Sequence, residues 1–295
     1  MSAREMKKIL ILLCFVATSA GAASVTDDDG RPVTLPGPAE RIISTAPHIT
    51  EFLYEVGGAG RVVGVTSYSD YPVEAQSLPL VGDNRQIDTE RVLALKPDLL
   101  IAWRGGNPAR QIEQLTRLGI PVFYSDLKKM DDIPETLARF GILVGQPEKG
   151  KEKAQLWRKR LERLKKQYEN RPVLKVFYQI SERPLYTLNG KHIVSEGIRI
   201  CGGDNIFSDL RVIAPRVSVE AVLEKNPDVI FISRSGGSTH GVNFWSRFSI
   251  VNAVRWNNLY EINPDLMDRP GPRLIDGVSA LCEKMEETRR NLRDR

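Results

Sequence analysis

The chain has few of the residues that carry catalytic or metal chemistry. Its 295 residues include 3 histidines and 3 cysteines, and aromatic residues make up 7%. It lacks the glycine-rich dinucleotide and phosphate-loop patterns, the G-x-S-x-G nucleophile elbow and the H-E-x-x-H zinc motif. Its three histidines are far apart, and no nucleophile stands beside a base. These absences predict that the protein is not an enzyme and has neither a metal site nor a cofactor.

Long apolar runs are also scarce. After residue 22 no window has 18 consecutive apolar residues, so no membrane span is predicted. Residues 1–22 combine a basic start, a short apolar stretch and small residues before the end, which is typical of a cleaved signal peptide. The alternative is a lipoprotein modified at Cys14, but Leu13 is too bulky for such a cleavage site. We therefore expect an exported, periplasmic protein.

Cleavage after residue 22 changes the charge and the cysteine count. The net charge falls from +5 to +3, and Cys14 leaves with the signal peptide. The remaining Cys201 and Cys282 predict one disulfide in an oxidising compartment. By closing a loop of roughly 80 residues, this disulfide would stabilise the folded protein by about 4 kcal/mol. Two unpaired buried thiols are the alternative.

Short apolar segments alternate with helix-like segments along the chain. This order predicts an α/β fold with mostly parallel sheets. The strand-like segments are 41–44, 62–65, 98–103, 120–124, 175–180 and 228–233.

One phrase occurs twice. Residues 90–98 and 220–228 share the pattern E-x-V-L-x-x-x-P-D, and each copy leads into an apolar strand and a Gly-Gly pair, at 105–106 and 236–237. The pattern predicts a short helix with a buried Val-Leu pair, ended by proline, and then a buried strand. Its recurrence indicates two lobes of similar fold.

A long amphipathic segment separates the two copies. A helix of about 22 residues would be roughly 33 Å long, enough to join two lobes. We predict a lobe at 23–146, a linking helix at 147–171 and a second lobe at 172–295. The other face of this helix is mostly basic. Nucleic-acid binding is the weaker interpretation, because acidic residues interrupt the basic face and the protein is expected to be exported. The apolar face of the helix consists of Trp157, Leu161, Leu164 and Tyr168.

Four segments carry a resemblance to a known family. Residues 66–72 (T-S-Y-S-D-Y-P), 95–107, 200–207 and 272–282 resemble periplasmic cobalamin-binding proteins, in the helical-backbone class of substrate-binding proteins. The resemblance spans residues 40–285. It implies two Rossmann-like lobes joined by a single long helix, with a ligand cleft between them. It also implies a monomer that delivers cobalamin to an inner-membrane ABC importer of two permease and two ATPase subunits.

The resemblance also implies which residues line the cleft. Tyr68 would pack on the corrin ring, and Trp103 would stand where its strand opens into the cleft. Asp265 and Arg269 would hydrogen-bond the propionamide rim of the ligand. The alternatives are a core tyrosine, an interdomain tryptophan and a surface loop made rigid by prolines. The loop consists of Asp265, Leu266, Met267, Asp268 and Arg269.

Two further pairs follow from the resemblance. Glu90 and Glu220 match acidic residues, one on each lobe, that dock on arginines of the transporter. The alternative is that each carboxylate only stabilises its helix N-terminus. Cys201 and Cys282 match the family's single disulfide, within the second lobe.

The chain departs from the family pattern at three positions. Asn84 and Ala214 stand where the pattern has tryptophans, and His48 stands where it has a small residue. We count His48 among the ligand-binding residues. Because histidine can ligate haem iron, a haem or siderophore carrier of the same fold is the alternative function.

Overall fold

The computed structural model describes residues 22–234 and 240–293. They form two α/β lobes with one long helix between them. Residues 1–21 of the predicted signal peptide and the second glycine pair, 236–237, lie outside the described residues. Within those ranges, no helix is both long and apolar enough to cross a membrane.

The N-terminal lobe is built on a four-stranded parallel sheet in the order β4-β3-β5-β6. Its strands are buried on both faces, which explains their continuous apolar sequence. The strands are β3 (Ile42–Ser44), β4 (Val62–Val65), β5 (Leu99–Trp103) and β6 (Val122–Ser125), preceded by the hairpin β1 (Ala23–Thr26) and β2 (Pro32–Leu35). The helices are α1 (Pro47–Glu55), α2 (Thr89–Ala94), α3 (Ala109–Arg117) and α4 (Asp132–Leu143), with 3₁₀ turns at Ala59–Arg61 and Val73–Ser77.

The C-terminal lobe has a five-stranded mixed sheet. Its long strand β7 pairs in parallel with β10 on one edge and with β9 on the other, where the antiparallel β8 also lies. The strands are β7 (Leu174–Glu182), β8 (Leu185–Thr187), β9 (Gly203–Asn205), β10 (Val229–Ser233) and β11 (Leu259–Ile262). The helices are α6 (Ile193–Ile200), α7 (Val219–Lys225), α8 (His240–Trp245), α9 (Asn252–Arg255), α10 (Pro264–Met267) and α11 (Leu274–Arg293).

Helix α5 (Pro147–Tyr168) connects the lobes and packs on both. It lies against α4 at a close approach, because a Cβ on Gly150 would stand 2.7 Å from the Leu137 carbonyl oxygen. Trp157 extends from its buried face and donates from Nε1 to the Pro272 carbonyl at 3.0 Å. The linking helix is thereby tied to the C-terminal lobe as well as to α4.

The repeated phrase has the same construction in both lobes. Lys96 and Asn226, 130 residues apart, each adopt a left-handed conformation before the proline, with φ of 46° and 45°. The carboxylates of Asp98 and Asp228 then accept backbone N–H groups from the neighbouring chain segment, at 2.7–2.9 Å. Each aspartate therefore holds the start of its strand against the segment beside it. The similarity in sequence corresponds to a similarity in hydrogen bonding.

The predicted disulfide is present. Cys201, at the end of α6, is bonded to Cys282 on α11, with the Cα atoms 4.8 Å apart. Both residues are fully buried, so the bond fastens two helices of the C-terminal lobe from inside its core. The prediction from the cysteine count and the resemblance is confirmed.

Candidate functional site

A cleft lies between the lobes, at the carboxyl ends of the N-terminal strands. Such ends are where α/β sheets bind ligands, because loops diverge there. Thr45 follows β3, Thr66 follows β4 and Trp103 ends β5. The cleft holds a cavity of about 300 Å³ lined by Thr45, Ala46, Pro47, His48, Thr66, Ser67, Tyr68, Asn84, Trp103, Asp268, Arg269 and Pro270. The two lobes therefore contribute to one cavity.

The two aromatic residues predicted for the cleft both line it. Tyr68 is 75% exposed and has a left-handed backbone, with φ of 67°, so the core alternative for this residue is wrong. Trp103 is half-buried and also packs on the hydrophobic core. Gly106 makes room for it, since a Cβ there would lie 2.0 Å from Trp103 Cε3. Tyr68 therefore presents an exposed ring, whereas the ring of Trp103 is fixed by its packing.

His48 lies in the first turn of α1, beneath Trp103. The two rings meet edge to face with centroids 5.5 Å apart, and His48 is 3% exposed. Burial, with a smaller contribution from the positive charge of Arg269, lowers the pKa of His48 to about 3. The imidazole is therefore neutral at physiological pH and acts as a hydrogen-bonding group without charge.

Arg269 joins the lobes through carboxylates. It donates to Glu51 at 3.3 Å and to Asp70 at 2.7 Å, and it pairs with Asp265 at 2.8 Å. Arg273 binds the same Glu51 in a bidentate pair at 2.6 and 2.9 Å. The Glu51 side chain is only 2% exposed, so this ion-pair network is anchored at a buried carboxylate. The Arg269 hydrogen bond also lowers the pKa of Asp70.

Sequence reasoning missed Glu51 as a site residue. Its only signal is a charged residue among the apolar positions of a short helix. A buried carboxylate needs a cationic partner, but the partners lie more than 200 positions further along the chain. Asp70 stands within the 66–72 segment, yet nothing in that segment identifies Arg269 as its partner.

Asp268 contributes a second polar group from the C-terminal lobe. Its carboxylate accepts from the Tyr178 hydroxyl at 2.7 Å and from the Ser233 hydroxyl. Although the residue as a whole is exposed, withdrawal of its carboxyl group from water raises the pKa of Asp268. Burial, followed by the negative charge of Asp268, raises the pKa of Tyr178 well above its usual value. Tyr178 therefore stays a hydrogen-bond donor.

The predicted loop does not act as a unit. Asp268 and Arg269 line the cavity, whereas Asp265 reaches the cleft region only through its ion pair with Arg269. Leu266 is half-buried and does not line the cavity. Met267 is 1% exposed and packs on α11, where a Cβ on Gly277 would lie 2.8 Å from its Sδ. The expectation that Met267 faces the ligand is wrong, because the single turn of α10 points this side chain into the core.

The positions that depart from the family pattern are separated. Asn84 lines the cavity, as expected for a residue in place of a cleft aromatic. Ala214 is exposed on a segment that hydrogen-bonds alongside β8, and it does not line the cavity. Across the described ranges, no cluster of three or more His, Cys, Asp or Glu side chains could hold a metal ion.

Glu90 and Glu220 are exposed and occupy equivalent places. Each lies in the first turn of a helix, α2 or α7, that is capped by a side chain, from Asp88 and Ser218 respectively. Hydrogen bonds from its own backbone N–H and from Ser218 lower the pKa of Glu220. Equivalent acidic groups therefore stand on both lobes.

The chain is similar to known periplasmic proteins over most of its length. The family model described as periplasmic binding protein matches residues 42–266. A vitamin B12-binding protein of Vibrio parahaemolyticus is 37% identical over 254 residues, which cover 86% of this chain and 92% of that protein. The crystal structure of the periplasmic vitamin B12 binding protein of Vibrio cholerae superposes with a TM-score of 0.80 and 39% identity, covering 85% of this chain and 98% of that chain.

Haem-binding proteins share the fold. The periplasmic heme-binding protein from Roseiflexus sp. RS-1 has a TM-score of 0.73 and 24% identity, covering 85% of this chain and 99% of that chain. This likeness concerns the fold alone.

Proposed function

The chain belongs to the periplasmic binding protein family, and we propose that it captures cobalamin in the periplasm and delivers it to an ABC importer. The family role is solute binding, without chemistry on the ligand. The observation that carries the proposal is the cleft, where Tyr68 and Trp103 of one lobe face Asp268 and Arg269 of the other. Relatives at this level of identity that are named for vitamin B12 support the choice of ligand.

The residues at the cleft have distinct roles in this proposal. The exposed ring of Tyr68 stacks on the apolar face of the corrin, which suits an aromatic side chain with one free face. Arg269 and Asp268 hydrogen-bond the amide rim of the ligand, and Asp265 orients Arg269 through their ion pair. Because Asn84 stands where the family pattern has a tryptophan, the aromatic platform is smaller at this position.

Ligand entry has to compete with a contact between the lobes. Cobalamin is larger than the drug-sized molecules that fit pockets of about 300–1,000 Å³. The cleft therefore has to widen, and the Asp70–Arg269 pair is the exposed part of the network that joins its two sides, since the Asp70 side chain is 45% exposed. Because a single helix connects the lobes, we expect the opening to be small compared with strand-hinged binding proteins.

The proposal includes the lobes, the compartment and the partner. The lobes are 23–146 and 172–295, the linker is 147–171, and residues 1–22 are removed on export. The mature monomer docks on two permease subunits, served by two ATPase subunits, through Glu90 and Glu220. One carboxylate on each lobe matches a two-fold symmetric partner with one arginine facing each lobe. Each carboxylate can form a bidentate pair with its arginine.

A haem carrier is the second candidate, favoured by His48 in the cleft. Calorimetric and spectroscopic titrations with cyanocobalamin and with haemin separate the two functions. We expect saturable 1:1 binding of cyanocobalamin in the nanomolar range and weaker binding of haemin without a histidine-ligated spectrum. Tight haemin binding that is lost in His48→Phe, with no binding of cyanocobalamin, would replace the proposal by the second candidate.

A further inference from the structure

Two buried polar atoms in the cleft have no hydrogen-bond partner. They are Nε2 of His48 and Oγ1 of Thr66, in side chains that both line the same cavity. Among the described residues, the other buried side-chain atoms of this kind belong to Ser125, Arg139 and Tyr260, none of which lines it. A buried polar group left unpaired costs stability, so native proteins keep few of them. Two in one ligand cavity indicate groups reserved for the ligand.

The hydroxyl of Thr66 differs from its neighbours in this respect. The hydroxyls of Ser44, Thr50 and Ser69, just beside it, hydrogen-bond one another at 2.8 and 3.2 Å. The backbone of Thr66 is also paired, donating to Ser44 and accepting from Ser69. Thr66 therefore has a fixed backbone and a side-chain hydroxyl that can donate and accept.

His48 is held just as firmly. Trp103 packs edge to face with its ring, and Gly271 lies on another side, where a Cβ would stand 3.3 Å from the His48 Cβ. A neutral imidazole has one N–H donor and one acceptor nitrogen. Together with a hydroxyl, it matches a group that has both a donor and an acceptor, as a carboxamide does.

The surrounding charge favours a neutral group over an anion. Arg269, the cationic residue among those that line the cavity, is already paired with Asp70, Asp265 and Glu51. Three carboxylates here face two guanidinium groups, those of Arg269 and Arg273. A carboxylate arm entering the cavity would add a further negative charge to this excess.

From these observations we propose that His48 and Thr66 form a polar subsite that hydrogen-bonds an uncharged side-chain amide of the corrinoid and discriminates against a carboxylate. The subsite rests on the proposed function, since it assigns one part of the ligand to one part of the cleft. It also gives His48 a role other than ligation of haem iron.

The test uses Thr66→Val, which keeps the shape of the side chain, and His48→Phe, which keeps an aromatic ring; both remove the polar atoms. We expect each variant of the full mature protein to bind cyanocobalamin about 10-fold more weakly by calorimetry. The melting temperature of the ligand-free variants should stay the same or rise, because an unpaired polar atom has been removed. Ser125→Ala removes an unpaired hydroxyl outside the cleft and should leave the affinity unchanged.

A second arm tests the preference for an amide. Cyanocobalamin monocarboxylates, each with one side-chain amide hydrolysed, should include one isomer that binds the natural protein at least about 10-fold more weakly than cyanocobalamin. In the double variant this discrimination should fall to within about 2-fold. Unchanged cyanocobalamin affinity in both single variants, or discrimination that persists in the double variant, would overturn the subsite.

The two proposals fail differently. If the natural protein does not bind cyanocobalamin, the proposed function and the subsite both fall. If the natural protein binds cyanocobalamin, but Thr66→Val binds it equally tightly and no monocarboxylate binds more weakly than cyanocobalamin, only the subsite is wrong. If His48→Phe does not fold, the Thr66→Val variant alone tests the subsite.

Discussion

The two lobes share a construction and divide its uses. Both carry the repeated phrase, a capped helix with an exposed glutamate, and an aspartate that holds the start of a central strand. The N-terminal lobe contributes the aromatic rings and the unpaired polar atoms of the cleft, whereas the C-terminal lobe contributes charged groups and contains the disulfide. The two lobes therefore line the cleft differently. The N-terminal side has aromatic rings and uncharged hydrogen-bonding groups, and the C-terminal side has charged groups. Four changes would break or sharpen this contrast.

The largest effect should come from reversing the acidic group on each lobe. Glu90→Lys together with Glu220→Lys should abolish cobalamin uptake, because the two introduced ammonium groups would repel the arginines expected on the importer. Each single reversal measures the contribution of its own lobe. Growth on limiting cobalamin and calorimetry of the purified variants provide the measurements. Glu113→Lys, an exposed charge reversal on α3, is the matched control, and equal loss of ligand affinity in the double variant would show that the docking role is misassigned.

The next largest effect should come from removing the disulfide, which lies within the C-terminal lobe. Replacing Cys201 and Cys282 by alanine opens a loop of 81 residues, which should lower the free energy of unfolding by about 4 kcal/mol. Urea denaturation with and without reductant measures the loss. Reductant should destabilise the natural protein by a similar amount and leave the variant unchanged. A loss below about 1 kcal/mol would mean that the helices α6 and α11 hold together without the bond.

Glu51→Ala should come third, since it removes the buried carboxylate between two arginines of the other lobe. Breaking a buried pair on one side costs about 3 kcal/mol, because the remaining charge stays desolvated. Asp70→Asn removes the exposed partner of the same Arg269 and should cost at most about 1 kcal/mol. Denaturant titration of both variants tests the ranking, and equal costs would refute the distinction between a buried anchor and an exposed contact.

The fourth effect depends on pH and concerns one histidine in each lobe. Burial lowers the pKa of His48 to about 3 and that of His192 to about 4, so the unfolded chain takes up protons below about pH 6.5 while the folded protein does not. Stability should therefore fall as the pH decreases from 6.5, by up to about 1.4 kcal/mol per pH unit for each histidine.

His48→Phe and His192→Asn should each make this decline shallower. His192→Asn keeps an acceptor for the Val194 N–H that Nδ1 accepts in α6. Unfolding free energies measured between pH 7 and pH 4.5 give the slopes. A slope that neither substitution changes would contradict the burial of these rings as the cause.

Much of the architecture could be predicted from local patterns. Strand-like runs, the phrase repeated at an offset of 130 and the apolar stripe from Trp157 to Tyr168 predicted the α/β lobes and the helix between them. The count of cysteines after export, together with the resemblance, predicted the disulfide. These features depend on periodicity and composition, which are written along the chain.

The site was predicted less completely. Tyr68, Trp103 and Arg269 were expected at the cleft and line it, but Met267 was expected there and lies in the core. Sequence adjacency cannot say which residues of one helical turn face inward, because that depends on the packing of α10 against α11. Thr66 was not singled out at all, since an unpaired hydroxyl is defined only by what surrounds it.

The sequence by itself determined the class of fold, the similarity of the lobes, the cysteine pair and the family. Only the tertiary structure decided that Glu51 is a buried link between the lobes, that Asp70 and Asp265 share Arg269, and that His48 and Thr66 lack partners. The physical reason is that secondary structure and apolar patterning follow from near neighbours in the chain. Pairing and burial of polar groups depend instead on tertiary contacts, such as those that bring Glu51 to arginines more than 200 positions away.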